Sequence, residues 1–165
     1  MFLKIIKSII SLLMTLIIVV GSIFVILFVV GIVPYVVLSG SMEPTVETGS
    51  LCFVNKHTKY ENIKVGDIVA YASSLDSNVT HRVINITEEG FETKGDRNDV
   101  SDGITVNKNN YIGKNIFSIP KVGFLVSALQ TARGRIIVIT LVIVILIASF
   151  CFDDKAVKRT ADEGI

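Results

Sequence analysis

The chain has 165 residues, room for one modest domain plus membrane segments. Half of the residues are hydrophobic, mean hydropathy is +0.62, and the net charge is only +1. With no Lys/Arg stripe outside the chain ends, that balance argues against a large electrostatic partner such as nucleic acid.

The apolar residues are concentrated in two runs. From Ile9 to Val33 nothing is charged. A bilayer core of ~30 Å takes about 20 helical residues, so residues 9–33 are predicted to span it. Lys4 and Lys7 in the flank "MFLKIIK" place residues 1–8 in the cytoplasm. A cleaved leader has an apolar core of about 7–15 residues and an A-x-A-like exit. This run is longer and leaves through "GIVPYVVLSGS", which predicts an uncleaved anchor ended by Pro34. The second run, "IIVITLVIVILIASFCF" at residues 136–152, is predicted to be a second span. Arg133 and Arg135 precede it, and Lys155, Lys158 and Arg159 follow it. Both flanks are basic, so charge alone does not orient it. The expected topology is a hairpin, with residues 35–135 outside the cell membrane and a cytoplasmic tail at 153–165. Cys52 and Cys151 fall on opposite sides of that arrangement, so neither a disulfide framework nor a zinc site is expected.

Between the runs the chain reads as strands: "SLCFVN" (50–55), "DIVAYA" (67–72), "NVTHRVINIT" (78–87), "GFETKG" (90–95) and "NYIGKNIFSI" (110–119). "VETGS", "KVGD", "SSLDSN", "TEEG" and "GDRNDVSDG" are the turns between them. Nothing before Pro120 holds a helical period. Residues 35–120 are therefore predicted to be a mainly β domain, a curled sheet or partial barrel. Residues 121–135, "KVGFLVSALQTARGR", are expected to lie at the membrane interface as a short helix.

Three places in the domain carry residues suited to chemistry. In "SGSMEPT", Ser41 has a glycine before it and a proline three residues on. Such a turn can expose a hydroxyl and aim backbone N–H groups at one point, as an oxyanion hole requires, although it also reads as an ordinary Ser/Gly/Pro turn. A serine nucleophile needs a base. His57 sits in the polar "NKHTKY"; His81 lies inside a strand, sharing a face with Val79 and Val83. An imidazole with an unperturbed pKa of about 6.5 suits a general base, and on an apolar face it equally suits a core position. "TKGDRNDVSDG" supplies Asp96, Asp99 and Asp102. It is not an EF-hand calcium loop, because Val100 occupies the place of the third ligand. An Asx-rich turn and an aspartate that orients a histidine both remain compatible with it.

The boxes "SGSMEPT", "GDIVAY", "HRV" and "TKGDRNDVSD" follow one another over residues 39–102, beside an N-terminal anchor. In that order they resemble type I signal peptidases, and most closely the endoplasmic-reticulum-type branch, which also occurs in archaea and spore-forming Gram-positive bacteria. The better-known bacterial branch has a lysine base where this chain has His81. The resemblance implies a coiled β-sheet ectodomain, here carried on the two transmembrane helices read from the apolar runs; the second of these is not universal in the family. It implies Ser41 as nucleophile, His81 as general base and Asp102 as the partner of His81, with Asp96 the second-choice acid or a loop-shaping residue. Ser39 and the backbone N–H of Ser41 would form the oxyanion hole. Asp99 has no role in the family.

The implied activity is removal of N-terminal signal peptides from secreted pre-proteins by acyl-enzyme hydrolysis. It needs no metal or cofactor, and its partners are pre-proteins and the bilayer, with accessory membrane subunits open. Two other readings compete. One is a self-cleaving switch like the repressors of similar fold, which use a lysine base and are soluble. The other is a catalytically inactive, membrane-tethered β module serving assembly or adhesion. The sequons at Asn78 and Asn85 flank His81, where a glycan would crowd the site, so both are read as chance matches.

Overall fold

A computed structural model describes the backbone of residues 2–73 and 77–162 and the side chains of residues 5–73 and 77–148. The chain divides into two compact units: Leu27–Ala128, and a helical unit of Met1–Ile26 with Leu129–Ile165. The helical unit holds most of helix α1 (Phe2–Val29) and helix α3 (Ala132–Asp162). Among the described residues α1 alone, over Ile5–Val29, is long and apolar enough to cross a membrane. Helix α3, whose described side chains stop at Ala148, meets the same measure only jointly with helix α2 (Val122–Gln130). Two complete spans are therefore not established by length and composition. The side chains of Cys151 and of the basic flank after residue 152 lie outside the described residues, as do residues 74–76 of the "SSLDSN" turn.

Unit Leu27–Ala128 is built on one antiparallel sheet, which contains seven strands among the described residues. In chain order these are β1 (Ile32–Val36), β2 (Leu51–Asn55), β3 (Ile68–Ala72), β4 (Asn78–Ile86), β5 (Phe91–Lys94), β6 (Thr105–Val106) and β7 (Tyr111–Ile119). Their spatial order is β1-β2-β7-β3-β4-β5-β6, so the last strand inserts between β2 and β3. Register shifts at Phe53/Val54, Ala70/Tyr71 and Val83/Asn85 mark bulges, which bend strands and sharpen their twist. This unit is mainly β, as the strand pattern predicts.

Two elements differ from the sequence reading. The apolar run leaves helix at Val29, four residues before the predicted limit of Val33, and Ile32–Val36 pairs with β2. Gly31 makes the turn: its φ is +76°, a left-handed value that glycine adopts without penalty, and its N–H donates to the Phe28 carbonyl at 3.0 Å. Pro34 sits in β1, at the sheet edge, where a residue without an N–H is tolerated. The second difference is β6, a two-residue strand beside β5.

Two apolar clusters hold the sheet. One joins Ile63, Val69, Tyr71, Val83, Phe91 and Val106; the other joins Met42, Val46 and Cys52, with Val37 and Ile68 against them. Ile68 and Val69 are adjacent on β3, so the clusters use alternating residues of that strand. Tyr60 stacks on Phe91 with ring centroids 4.1 Å apart and donates its hydroxyl to the Val106 carbonyl at 2.9 Å, fastening the β2–β3 connection over the first cluster. Cys52 is a free, fully buried thiol, and desolvation pushes its pKa up to about 11.

Candidate active site

Ser41 lies in the turn between β1 and β2. The turn is folded back by Val37 N–H donating to the Ser50 carbonyl (2.9 Å) and Gly49 N–H donating to the Val37 carbonyl (2.8 Å). Met42 and Val46, 2% and 3% exposed, plug it into the second apolar cluster. A buried residue directly after the serine fixes the turn, so the hydroxyl is directed by packing. Gly40 keeps an ordinary φ. The backbone freedom that the sequence suggested at Gly40 goes unused, and its missing side chain instead leaves room for the Glu43 carboxylate. The Glu43–Pro44 peptide is cis.

The loop after β5 closes on this turn from the other side. Arg97 N–H donates to the Ser41 carbonyl at 2.8 Å. A Cβ on Gly95 would lie 2.6 Å from that same carbonyl oxygen, so only glycine admits this approach. The Arg97 guanidinium donates to Glu43 Oε2 at 2.7 Å, while the Thr48 hydroxyl donates to Oε1 at 2.9 Å. Led by Thr48, these bonds hold the Glu43 carboxyl below its usual range.

His81 arrives from the middle of β4, on the face shared with Val83 and away from Arg82. It is 8% exposed. Its Nε2 is 2.8 Å from Ser41 Oγ and its Nδ1 is 2.7 Å from Asp102 Oδ2. Asp102 is tethered by its own N–H, which donates to the Thr93 carbonyl at 2.9 Å. The fold thus brings Ser41, His81 and Asp102 together from three separate segments. Ser39 Oγ is 3.2 Å from Ser41 Oγ. Asp96 is directed elsewhere: it accepts from Arg82 Nε at 2.8 Å and Nη2 at 2.7 Å, a two-pronged pair. Those hydrogen bonds hold the Asp96 carboxyl below its ordinary value of 3.8. Asp99 is exposed. His57, also exposed, lies in the turn after β2, with its ring against Gly31.

Two hydroxyls escaped the sequence reading. Tyr71 donates to Asp102 Oδ2 at 2.9 Å, and Thr93 donates to the same oxygen at 2.7 Å. Both residues fall inside predicted strands, 67–72 and 90–95, with nothing local to set them apart. The register shows why they belong here. Tyr71 sits opposite Val79, and Thr93 opposite Val83. Both pairs lie on the His81 face, so a strand on each side of β4 contributes one hydroxyl.

Ser41 and His81 border a cleft of about 630 Å³, also lined by Tyr35, Val37, Leu38, Met42 and Val79. The order hydroxyl, imidazole, carboxylate, opening on a mostly apolar cleft, can pass a proton from the serine while the carboxylate balances the cation that forms.

The family model for signal peptidase, peptidase S26, matches residues 6–117, more than half of the chain. The chain is similar to signal peptidase I W of Bacillus subtilis, with 41% identity over 78 residues that cover 45% of this chain and 41% of that protein. It is similar to the human signal peptidase complex catalytic subunit SEC11C, with 41% identity over 73 residues, 41% of this chain and 38% of that one. The SEC11 subunit of Scheffersomyces stipitis is 35% identical over 103 residues, 54% of this chain and 61% of that one. The chain thus matches between about two fifths and three fifths of the length of these curated relatives. By the match over residues 6–117, the chain belongs to the signal peptidase family, peptidase S26.

Proposed function

We propose that the protein is a membrane-bound serine endopeptidase that removes N-terminal signal peptides from secreted pre-proteins. The observation that carries this reading is the unbroken series of contacts from Ser41 Oγ through both nitrogens of His81 to Asp102, at 2.8 and 2.7 Å. In this reading Ser41 attacks the scissile carbonyl while His81 Nε2 takes its proton. The imidazolium, held by Asp102, then protonates the leaving amine, and water hydrolyses the acyl-enzyme by the same route in reverse. The backbone N–H of Ser41 and the Ser39 hydroxyl receive the oxyanion. The carboxylate that serves His81 is Asp102. Asp96 has its charge committed to Arg82 and shapes the loop.

The same reading places residues 1–8 and 153–165 in the cytoplasm, spans at 9–33 and 136–152, of which 9–29 lies in α1 and 136–152 in α3, the β domain of 35–120 outside, and an interfacial segment at 121–135. Its partners are signal-peptide-bearing pre-proteins and the bilayer, with accessory membrane subunits as a further class. Ser41 follows the predicted first span by about eight residues. A signal peptide is itself a membrane helix with its cleavable end at the interface, so confinement of both to one surface raises their effective concentration. The test is cleavage of a model pre-protein by the full chain in detergent. Ser41→Ala and His81→Ala are each expected to lower kcat/KM by on the order of 10⁴- to 10⁶-fold with the fold retained. Retained cleavage in either folded variant sinks the assignment to Ser41 and His81, whereas a folded parent chain that cleaves nothing leaves the non-enzymatic β module.

A further inference from the structure

Asp102 Oδ2 receives more than the His81 ring. Tyr71, 1% exposed, reaches it at 2.9 Å, and Thr93, fully buried, reaches it at 2.7 Å. The two hydroxyls lie 3.3 Å from each other. Three donors therefore converge on one carboxylate oxygen, all held by the sheet: His81 belongs to β4, with Tyr71 on β3 and Thr93 on β5 on either side of it. Tyr71 and Thr93 also pack in or beside the apolar core, so their hydroxyls are confined by their surroundings. Burial pushes the Tyr71 hydroxyl well above the usual tyrosine range, so it stays a proton donor.

A buried carboxylate needs such donors. Without them it is either neutralised or drawn out of place, and a displaced carboxylate can neither fix the His81 tautomer nor balance an imidazolium. Neither hydroxyl borders the cleft, which is lined by other residues. They have no way to touch a substrate and every means of fixing the oxygen that His81 Nδ1 meets.

We propose that Tyr71 and Thr93 are positioning residues, which hold the Asp102 carboxylate at the geometry His81 requires and so set turnover without setting substrate affinity. This rests on the proposed triad. It adds two residues, from two strands, whose effect is routed wholly through Asp102.

The experiment uses the full chain in detergent with a model pre-protein. The variants are Tyr71→Phe, Thr93→Val and Thr93→Ser, each alone and on an Asp102→Asn background. Tyr71→Phe and Thr93→Val keep shape and lose the hydroxyl, and each is expected to lower kcat about tenfold while KM stays within about twofold. Thr93→Ser restores the hydroxyl and is expected to return kcat to near the parent value, which a loss of packing would not allow. On the Asp102→Asn background, Tyr71→Phe and Thr93→Val are expected to add little further loss, because the group they serve has changed. Unchanged kcat in both hydroxyl-deleting variants overturns the proposal. So does a loss that multiplies in full with that of Asp102→Asn, or a Thr93→Ser variant as slow as Thr93→Val. Should Tyr71→Phe fail to fold, the Thr93 pair decides alone. Ser41→Ala run in parallel separates the two readings: cleavage surviving there defeats the triad itself, whereas normal loss there with no effect at Tyr71 and Thr93 defeats only the positioning role.

Discussion

His81 and Arg82 are neighbours on β4 and point to opposite faces of the sheet, and each meets an aspartate from the same loop. The His81–Asp102 pair is about 10% exposed on both sides and shares its carboxylate oxygen with two buried hydroxyls. The Arg82–Asp96 pair is wetter, 30% and 15% exposed, and the guanidinium also donates to the Gly66 carbonyl at 2.8 Å. One strand thus carries two acid–base pairs with different capacities. Arg82 never gives up its proton, so its pair can only hold the loop to the strand. An imidazole, unlike a guanidinium, can take and return a proton within a reaction, so the His81 pair is suited to chemistry. The ability to work as a base comes from the choice of cation and from the company the carboxylate keeps, since the two distances are alike.

That contrast can be broken by swapping which aspartate is neutralised. Asp102→Asn is expected to lower kcat by on the order of 10⁴-fold with little change in unfolding midpoint, measured by pre-protein cleavage and urea denaturation. Asp96→Asn is expected to act the other way round. A reversed pattern would exchange the two assignments.

Next in size comes Gly95→Ala. Its Cβ would press on the Ser41 carbonyl, which has no room to yield without moving the turn that carries Ser41. A displacement of that kind is expected to cost on the order of 10²-fold in kcat, because catalytic geometry tolerates little misplacement. Parent-like turnover in a folded Gly95→Ala protein would show that the loop does not set the serine.

Asp96→Asn itself is expected to destabilise the domain by about 1–2 kcal/mol, the worth of charge-assisted hydrogen bonds discounted for partial exposure, read from denaturation in urea. The smallest effect concerns acid. Because the folded Asp96 carboxyl is held below its ordinary 3.8, the unfolded chain binds its proton first as the pH falls. The stability this group contributes is complete at neutral pH and is lost as pH drops through 3.8 towards the folded value. In Asp96→Asn that share of the acid slope should vanish; an unchanged slope below pH 4 would show that the pair does not couple to folding.

Much of the sheet was legible because its strands are rich in β-branched and aromatic residues bounded by turn formers. The predicted segments 50–55, 67–72, 78–87, 90–95 and 110–119 each contain a strand of the structure, with ends differing by a residue or so. β1 was hidden because its residues extend an apolar run without a break, and hydropathy does not distinguish the last turn of a span from a buried strand. β6 is too short to show any period. At the site, the serine, histidine and aspartates stood out as residue types, but only the ordered boxes tied them together, and the local spacing of Asp96 and Asp102 could not assign a partner to either. Tyr71 and Thr93 were invisible as polar groups, since a tyrosine and a threonine in alternating strands read as packing. The Glu43–Arg97 link joins residues 54 positions apart, and no local pattern announces it.

The approach of Gly95 and Arg97 to Ser41 bears on when the site comes together in a growing chain. A ribosome delivers the segment around Ser41 well before residues 95–102, so a nascent chain that has exposed the serine still lacks the loop that braces its carbonyl and the carboxylate behind the imidazole. On the proposed reading the site is assembled only with completion of the sheet, because its serine, its brace and its carboxylate come from segments far apart along the chain.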